Sequence, residues 1–554
     1  MPAIVEAVRA HLFRKDLIAR NVIAGIIVGI VAIPLAMAFA IASGARPEQG
    51  LYTAVFAGIA VTLFGGSRVQ IAGPTGAFVV LLAGVSARYG TAGLAISAII
   101  AGLLLILFGT ARLGGVIRYV PESVIMGFTA GIAVVIFVGQ WSNFFGLPAP
   151  AGDRFLEKLA FLAAHLSQLD PATTLLGLAS LAVVVLWPRT PKLNVIPSPL
   201  VALVGATVFV AIARPESVAT IGSAFGGIPR GLPSVTLPKL SLAEVTELIR
   251  PAFAIALLGA IESLLSATVA DGMAHTRHDP NQELIGQGIG NVLAGLVGGI
   301  PATGALARTA TSVRHGGNSP LAGMVHAATV AMVLLVLAPL ASWVPLSALA
   351  AILFVVAYNM SDLGRVVRVA RTAPASDAGV MLITLVLAVF TDLVTAVEVG
   401  VVLALLNFFR RMTQAVDVSA VEAALACEIP GQLDVPEDVI VYTIDGPFFF
   451  GAIEQFEAAL LHTNTEPRGV IISMTNVPFV DLTALVALKE ALTRLQKHHV
   501  RIAIAEASPA VAERIERAGV LAGIELPATA SLTEALAYVA GDGPRAGTPA
   551  SNRA

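Results

Sequence analysis

Long stretches without a charged residue dominate this sequence. No Asp, Glu, Lys or Arg occurs between Arg20 and Arg46 or between Glu122 and Asp153, and the run from residue 315 to 361 is long enough for two membrane crossings. A helix needs about 20 apolar residues to cross the hydrocarbon layer of a bilayer. Further runs of this kind, together with several shorter apolar segments, predict about fourteen crossings before residue 411.

The composition supports a membrane protein and excludes several other classes. The chain is 56% hydrophobic and 13% charged, a balance that is not typical of water-soluble globular proteins. Its net charge of −2 gives no reason to expect nucleic-acid binding. The single cysteine, Cys427, excludes an intramolecular disulfide and a cysteine-based metal cluster. No P-loop, dinucleotide fingerprint or zinc motif is present, so we expect no cofactor, no metal and no enzymatic activity.

The positions of basic residues predict the orientation in the membrane. Lysine and arginine accumulate in short cytoplasmic loops. Here they precede the first apolar stretch and then recur in alternate loops, and an even number of crossings places both termini on the same side, so we expect both in the cytoplasm. The basic residues are Arg9, Arg14, Lys15, Arg20, Arg112, Arg118, Arg189, Lys192, Arg365, Arg368, Arg371, Arg410 and Arg411.

Two short segments at corresponding places in the membrane region resemble each other. Residues 73–77 read Gly-Pro-Thr-Gly-Ala and residues 301–305 read Pro-Ala-Thr-Gly-Ala. Their separation is roughly half of the membrane region, which is typical of transporters built from inverted repeats. Chance similarity between Ala- and Gly-rich spans is the alternative. The location of both segments at Gly or Pro interruptions favours a repeat of seven spans in each half.

The two Thr-Gly-Ala segments are candidates for breaks within membrane helices. Backbone that leaves a helix inside the membrane must be buried in protein or line a cavity. Each segment is predicted to begin a half-helix whose first amides have no acceptor within the helix. Two such positive helix ends facing each other would bind an anion without a charged side chain. Alternatively, Thr75 and Thr303 only cap helices, and Gly76 and Gly304 only allow close packing.

Glu262 is the only charged residue from 251 to 270. A carboxylate in the middle of a span is costly and therefore suggests a function. It is predicted to relay a proton or to bind a cation; the alternative is a carboxyl paired with a neighbouring helix. Arg308, one turn into the second half-helix, is expected to pair with Glu262 or to steer the anion.

The sequence changes character after Arg411. Strands are predicted over 439–444, 470–474 and 502–504, and helices over 453–461, 482–495 and 509–517. Alternating strands and helices indicate a small α/β domain. The predicted organisation is a cytoplasmic segment 1–20, a transmembrane domain 21–411, a linker 412–437, the α/β domain 438–540 and a disordered tail 541–554.

One run closely resembles the signature of the sulfate permease (SulP) anion transporters. It reads Pro-Glu-Gln-Gly-Leu-Tyr-Thr-Ala from residue 47 to 54 and ends in Gly-Gly-Ser-Arg at 65–68, with Gln49 at the place of the usual tyrosine. Ala32-Ile33-Pro34, Glu262 and residues 303–309 also match the family. The C-terminal domain resembles a STAS domain, so the resemblance covers essentially the whole chain.

The resemblance implies an α-helical polytopic membrane protein. Its fold is a seven-plus-seven transmembrane inverted repeat with core and gate domains, followed by a cytoplasmic α/β STAS domain, and it is usually a homodimer. It also implies that the anion lies between the two half-helices and that Glu262 belongs to the site, where we expect it to be the proton-coupling residue. The substrate-binding residues carried over by position are Phe39, Thr75, Gly76, Ala77, Ser266, Thr303, Gly304, Ala305, Leu306 and Arg308.

Departures from the family pattern bear on substrate and coupling. Leu35 stands where many members have Gln, and Ala305 and Ala307 stand where many have Ser, which implies a wider and less polar site. Leu258 occupies the place of a second acidic residue in sodium-dependent bicarbonate members, so we expect proton coupling. The sequence around Glu262 is similar to the bacterial C4-dicarboxylate uptake branch. The expected function is therefore elevator-type, proton-coupled symport of C4-dicarboxylates (succinate, fumarate, aspartate-like) across the bacterial inner membrane, with sulfate or bicarbonate transport or anion exchange as the alternative.

Two other functions are compatible with the same motifs. The architecture can serve as an anion channel or a charge-moving motor, which saturable, gradient-driven uptake would exclude. A membrane-tethered signalling protein is the third hypothesis, with a possible cytoplasmic protein partner at the STAS domain. Phosphorylation at Thr483 would serve it, although Asp481 and Thr483 equally suit the cap and first turn of a helix.

Overall fold

The computed structural model describes residues 1–117, 121–150, 154–190, 196–229, 231, 233–235, 241–391, 393–414, 417–421, 435–436, 438–461 and 467–541. These residues form two compact units, Met1–Ala404 and Leu405–Ala554. Cys427, most of the predicted linker and the predicted tail beyond residue 541 lie outside the described residues.

The first half of the membrane unit begins with a short helix and continues through apolar helices. Gly90, with φ of 61°, divides the long helix α4 into two helices that meet at a kink. A 3-10 turn, Gly76–Phe78, immediately precedes α4. The elements are α1 (Ala3–Arg9), α2 (Lys15–Ala42), α3 (Pro47–Phe64), β1 (Ala72–Gly73), α4 (Val79–Thr110), α5 (Gly114–Ile117), α6 (Glu122–Gly139), α7 (Trp141–Phe145), α8 (Phe155–Ala164), α9 (Pro171–Leu186) and α10 (Ser198–Ala213).

The second half repeats this plan. After a short helix, the chain enters a 33-residue helix with Pro251 in its interior, and Glu262 lies on that helix. The elements are α11 (Ile221–Phe225), α12 (Leu242–Ala274), α13 (Pro280–Leu296), β2 (Thr303–Gly304), α14 (Leu306–Arg314), α15 (Pro320–Ala341), α16 (Leu346–Ser361), α17 (Leu363–Thr372), α18 (Ala375–Phe390) and α19 (Leu393–Gln414).

The described helices account for the predicted membrane crossings. Eight helical segments are long and apolar enough to cross a membrane by length and composition, and α10 and α18 are shorter apolar helices. Counting α4 as two segments, and adding α3, α13 and the half-length α14, gives seven segments in each half. The predicted seven-plus-seven helical fold followed by a STAS domain is confirmed.

Two groups of helices pack separately from each other for most of their length. In one group, α2, α3 and α4 pack on α12, α13 and α15; in the other, α6 and α9 pack on α16 and α18. The contact between α4 and α13 is close because Gly102 and Gly288 face each other's backbone carbonyls. These groups correspond to the core and gate domains that the family resemblance implies.

The second unit contains a four-stranded sheet in the order β3-β4-β5-β6. Strand β3 is antiparallel to β4, and β4, β5 and β6 are parallel. The predicted strands and helices of this domain are confirmed; β3, which lies within the predicted linker, and the last helix were missed. The elements are β3 (Asp417–Val421), β4 (Val439–Asp445), α20 (Ile453–Leu461), β5 (Gly469–Asn476), α21 (Leu482–Lys497), β6 (Arg501–Ala505), α22 (Pro509–Arg517) and α23 (Leu532–Ala540).

Candidate anion site

Two very short strands cross in the middle of the membrane unit and set the position of the half-helices. Strands β1 and β2 are antiparallel, with Ala72 opposite Gly304 and Gly73 opposite Thr303. The amide of Ala305 also donates to the carbonyl of Ile71, with N and O 2.8 Å apart. A helix begins shortly after each strand, at Gly76 in the first half and at Leu306 in the second. We call these the first and second half-helices. Their N-termini therefore begin close to one crossing point.

This arrangement favours negative charge at the crossing. The first amides of a helix have no acceptor within their own helix. The aligned peptide dipoles add a partial positive charge at the same end. Two helix N-termini beside one crossing are thus suited to donate N–H groups to an anion.

Thr75 and Glu262 meet at the N-terminus of the first half-helix. Thr75 has an extended backbone and precedes the helix, and its hydroxyl donates to Oε2 of Glu262 over 3.2 Å. Both residues are half-buried. Glu262 has no ion pair with any residue that the structure describes. The predicted carboxyl is therefore at the predicted anion site, facing a hydroxyl and not a cation.

Arg308 has a different partner from the one expected. It is 3% exposed, and its Nη2 donates to the carbonyl of Pro74. Its Nη1 has no hydrogen-bond partner in the described part of the chain. Arg308 thus ties the second half-helix to the segment that precedes the first half-helix. The pairing with Glu262 that the sequence suggested is not formed.

Thr303 and Gly304 are bound to α12 and are not free for a ligand. The hydroxyl of Thr303 donates to the carbonyl of Gly259 over 3.0 Å and lies 2.7 Å from the Ser263 hydroxyl. The amide of Gly304 donates to the same Ser263 hydroxyl over 3.1 Å. Ser263 was missed in the sequence, although it directly follows Glu262. On the second half-helix, the first amides of the helix itself are better placed to contact an anion than Thr303.

The two Thr-Gly-Ala segments are not structurally equivalent. Thr75 stands immediately before the first half-helix, whereas Thr303 lies in β2 and Ala305 is the residue before the second half-helix. If the two half-helices are aligned at their first residues, Thr75 corresponds to Ala305 and not to Thr303. The alignment of the two Thr-Gly-Ala segments is therefore shifted by two residues from the structural alignment. The prediction of two interrupted helices holds, but the equivalence of the two threonines was wrong.

Apolar side chains border the first half-helix on its other side. A carbon attached to the Cα of Gly76 would lie 3.3 Å from Cε1 of Phe39 and 2.6 Å from Sδ of Met360. Phe39 belongs to α2 and Met360 to α16, so residues of both helix groups meet at Gly76. No sequence pattern distinguishes Met360, because a methionine in an apolar helix is typical of packing.

The other predicted residues are placed as follows. Ala77 and Ala305 are buried beside the two helix starts, and Leu306 is 44% exposed. Ser266 lies one turn beyond Glu262 on α12, and its buried hydroxyl has no partner among the described residues. Leu258, one turn before Glu262, is buried.

Thr483 lies in the STAS domain, in the exposed first turn of α21. The carboxylate of Asp481 accepts from the amide of Ala484 over 2.8 Å and from the amide of Phe450 over 3.1 Å. Asp481 is thus a helix cap, as one of the two interpretations of this motif predicted. Phosphorylation of Thr483 stays a prediction.

Comparison with known proteins identifies the family. Residues 18–384 match the sulfate permease family, and residues 432–535 match the STAS domain. The chain belongs to the sulfate permease family. It is therefore a multispan membrane protein of a family of anion transporters.

Individual sulfate permease relatives extend this result. The chain is 44% identical over 495 residues to the putative sulfate transporter YvdB of Bacillus subtilis, which covers 89% of this chain and 91% of the relative. It is 32% identical over 514 residues to the bicarbonate transporter BicA of Picosynechococcus, covering 90% of each. The murine Slc26a9 anion transporter in the inward-facing state has the same fold, with a TM-score of 0.86, 19% identity and coverage of 98% and 94%.

These relatives do not support the predicted C4-dicarboxylate branch. Their names refer to sulfate and bicarbonate. The similarity around Glu262 on which that prediction rested is a short stretch of α12, and it carries less information than identity across nine-tenths of the chain.

Proposed function

We propose that this protein is a secondary carrier for a small inorganic oxyanion, sulfate or bicarbonate. The anion binds between the starts of the two half-helices, and Glu262 carries a coupling proton. The observation that carries this proposal is the contact between Thr75 and Glu262 at the N-terminus of the first half-helix. It puts a titratable group directly beside a site whose backbone favours anions.

The chemistry of the site suits a compact anion. The donors offered to the ligand are backbone amides, because the Thr75 hydroxyl donates to Glu262, while Phe39 and Met360 form an apolar border. The buried guanidinium of Arg308 adds positive charge behind the helix starts but donates to the Pro74 carbonyl. Such a site selects for negative charge and small size more than for the shape of an extended dicarboxylate.

Coupling follows from the closeness of two like charges. An ionised Glu262 repels an anion at the half-helices, and a protonated Glu262 does not. Anion and proton should therefore strengthen each other's binding by the same factor. Sodium coupling is the less favoured alternative, because the residue one turn before Glu262 is the buried, apolar Leu258.

The orientation in the membrane is part of the proposal. The arginine-rich helix α17 and the C-terminal end of α19 should face the cytoplasm, with both termini. The location is the bacterial inner membrane. A homodimer, in line with the resemblance, stays a prediction.

Uptake into proteoliposomes tests the proposal directly. Purified full-length protein is reconstituted and offered labelled sulfate, bicarbonate and succinate, with and without an inward proton gradient at zero membrane potential. We expect saturable uptake of one of the two inorganic anions, accelerated by the gradient. Non-saturating flux would instead indicate a channel, and succinate uptake that excludes both inorganic anions would restore the dicarboxylate hypothesis.

A further inference from the structure

Helix α17 carries an exposed face that the transport mechanism does not use. None of its residues is buried, and the apolar side chains of Leu363 and Val367, four residues apart, are 58% and 40% exposed. Residues at this spacing lie on the same side of a helix. The same helix has arginines at every third position, Arg365, Arg368 and Arg371. It is therefore an amphipathic helix with an open apolar side and a basic side.

The topology places α17 at a surface of the membrane. Helices α16 and α18 are consecutive crossings, so a ten-residue helix between them stays on one face. Asp362, with φ of 37°, separates α16 from α17 by a left-handed residue, which changes the direction of the chain. Among the described elements, the main contacts of α17 are with α18 and α6. The rest of the helix is exposed or half-buried.

Helix α17 carries more positive charge than the acidic residues around it neutralise. Arg365 pairs with Glu122 in the first turn of α6. Arg368 and Arg371 are exposed and form no ion pair with the residues that the structure describes. Asp362 precedes α17 and Asp377 follows it in the first turn of α18. Two guanidinium groups are thus available for a partner with negative charge, and guanidinium binds phosphate by two parallel hydrogen bonds.

We propose that α17 is a binding surface for anionic phospholipids. Leu363 and Val367 enter the boundary between headgroups and acyl chains, and Arg368 and Arg371 bind the phosphates. Amphipathic helices with arginine on the polar side bind membranes in this way, and the attraction to anionic lipid grows with each basic residue near the surface. Because α17 joins α16 to α18, bound lipid would hold the cytoplasmic ends of both helices. Met360, which borders the anion site, lies at the end of α16.

Thermal unfolding of the full chain in detergent tests this surface. Phosphatidylglycerol or phosphatidylcholine is added at equal mole fractions, and the lipid concentration giving half of the maximal stabilisation is determined. For the wild type we expect stabilisation at a lower concentration of phosphatidylglycerol. The double variant Arg368→Gln/Arg371→Gln should need roughly tenfold more phosphatidylglycerol and show no preference between the lipids.

Two controls make the result specific. Arg154→Gln/Lys158→Gln removes the same charge at the start of α8, which is expected on the opposite face between α6 and α9, and should keep the preference. Arg368→Lys/Arg371→Lys retains the charge and should keep most of the preference for phosphatidylglycerol. This variant therefore separates loss of lipid binding from misfolding. Equal preference in the double Gln variant and the wild type would overturn the proposal. The proposal would also be overturned if the α8 control lost the lipid preference as fully as the double Gln variant. Full stabilisation by inorganic phosphate at the same concentration would overturn it as well.

Discussion

Thr75, Gly76 and Glu262 come from two helices that are distant in the sequence, and a third helix supplies Met360. Glycine at 76 leaves room for the thioether of Met360 and the ring of Phe39. The polar and apolar sides of the site thus meet at one residue. Crowding at this position should affect the ligand before it affects the fold, because the neighbour that must move is the flexible end of a methionine.

Gly76→Ala should lower the initial rate of anion uptake by about an order of magnitude, since small displacements of a binding site are costly. Met360→Ala in the same chain should restore most of the uptake, because it removes the atoms that the added carbon would meet at 2.6 Å and 3.4 Å. Uptake is measured in proteoliposomes with equal amounts of reconstituted protein. Undiminished uptake by Gly76→Ala would move the anion away from the first half-helix.

The matched control is Gly304→Ala. A carbon there would meet the amide group of Gln70, which itself donates to the carbonyl of Ser263, and would lie 3.2 Å from Cα of Ser263. This variant should lower the midpoint of thermal unfolding, and Met360→Ala should not correct it. Rescue by Met360→Ala would contradict the separate roles of the two glycines.

The sequence predicts the polar part of this candidate site and misses the rest for a physical reason. A carboxyl in an apolar span and a Gly-Pro-Thr segment are conspicuous because both are costly in a membrane. Ser263 and Met360 are inexpensive in a membrane helix, so nothing in the sequence distinguishes them from packing residues. Only the fold shows that Ser263 bonds to Thr303 and Gly304.

At the scale of elements, the half-helices show what repeats in a sequence can and cannot predict. The interrupted helices follow from the Gly and Pro residues, and the domain of alternating strands and helices follows from its periodicity. The register of the repeat does not follow, because identical Thr-Gly-Ala letters serve as a helix start at 75–77 and as a strand at 303–304. Strand β3 was missed because it lies within a segment assigned to the linker.

Helix α23 offers a test of local stability in the STAS domain. Ser531 accepts from the amide of Glu534, and Glu534 accepts from the amide and hydroxyl of Ser531, which forms a reciprocal cap. Ser531→Ala should weaken the helix by about 1 kcal/mol. Hydrogen exchange of residues 532–540 measures this, with Ser508→Ala as a control, since Ser508 precedes α22 without a side-chain cap. Equal exchange rates of residues 532–540 in Ser531→Ala and wild type would contradict the stabilising role of this cap.

The same cap predicts a pH dependence. Hydrogen bonds from the backbone and the hydroxyl of Ser531 lower the pKa of Glu534. When folding lowers the pKa of a carboxyl, the ionised carboxyl stabilises the folded state at pH values above the usual glutamate pKa. This stabilisation is lost as the pH falls through the lowered pKa. Protection of α23 should therefore decrease below about pH 4 in the wild type and depend less on pH in Glu534→Gln. Identical pH profiles for the two proteins would show that the carboxylate does not cap the helix.

At the scale of the whole molecule, every candidate anion-binding residue lies in the membrane unit. Helix α19 continues to Gln414, beyond the boundary at 411 that the sequence suggested. A chain that ends after Gln414 should bind the transported anion with an affinity within a few-fold of the full chain, although turnover should fall if the STAS domain regulates it. Isothermal titration of the monodisperse, truncated protein measures this. Complete loss of binding would place part of the site in the STAS domain.

The central claim is that Glu262 couples the proton to the anion. Gln mimics the protonated carboxyl and keeps an oxygen that accepts from the Thr75 hydroxyl. The most direct measurement is the initial rate of anion uptake by wild type and Glu262→Gln in proteoliposomes, with an inward proton gradient imposed at zero membrane potential. The variant should bind the anion with little dependence on pH and should show no acceleration by the gradient. If the gradient accelerates Glu262→Gln as much as it accelerates the wild type, Glu262 is only a packing carboxyl and the proton is carried elsewhere.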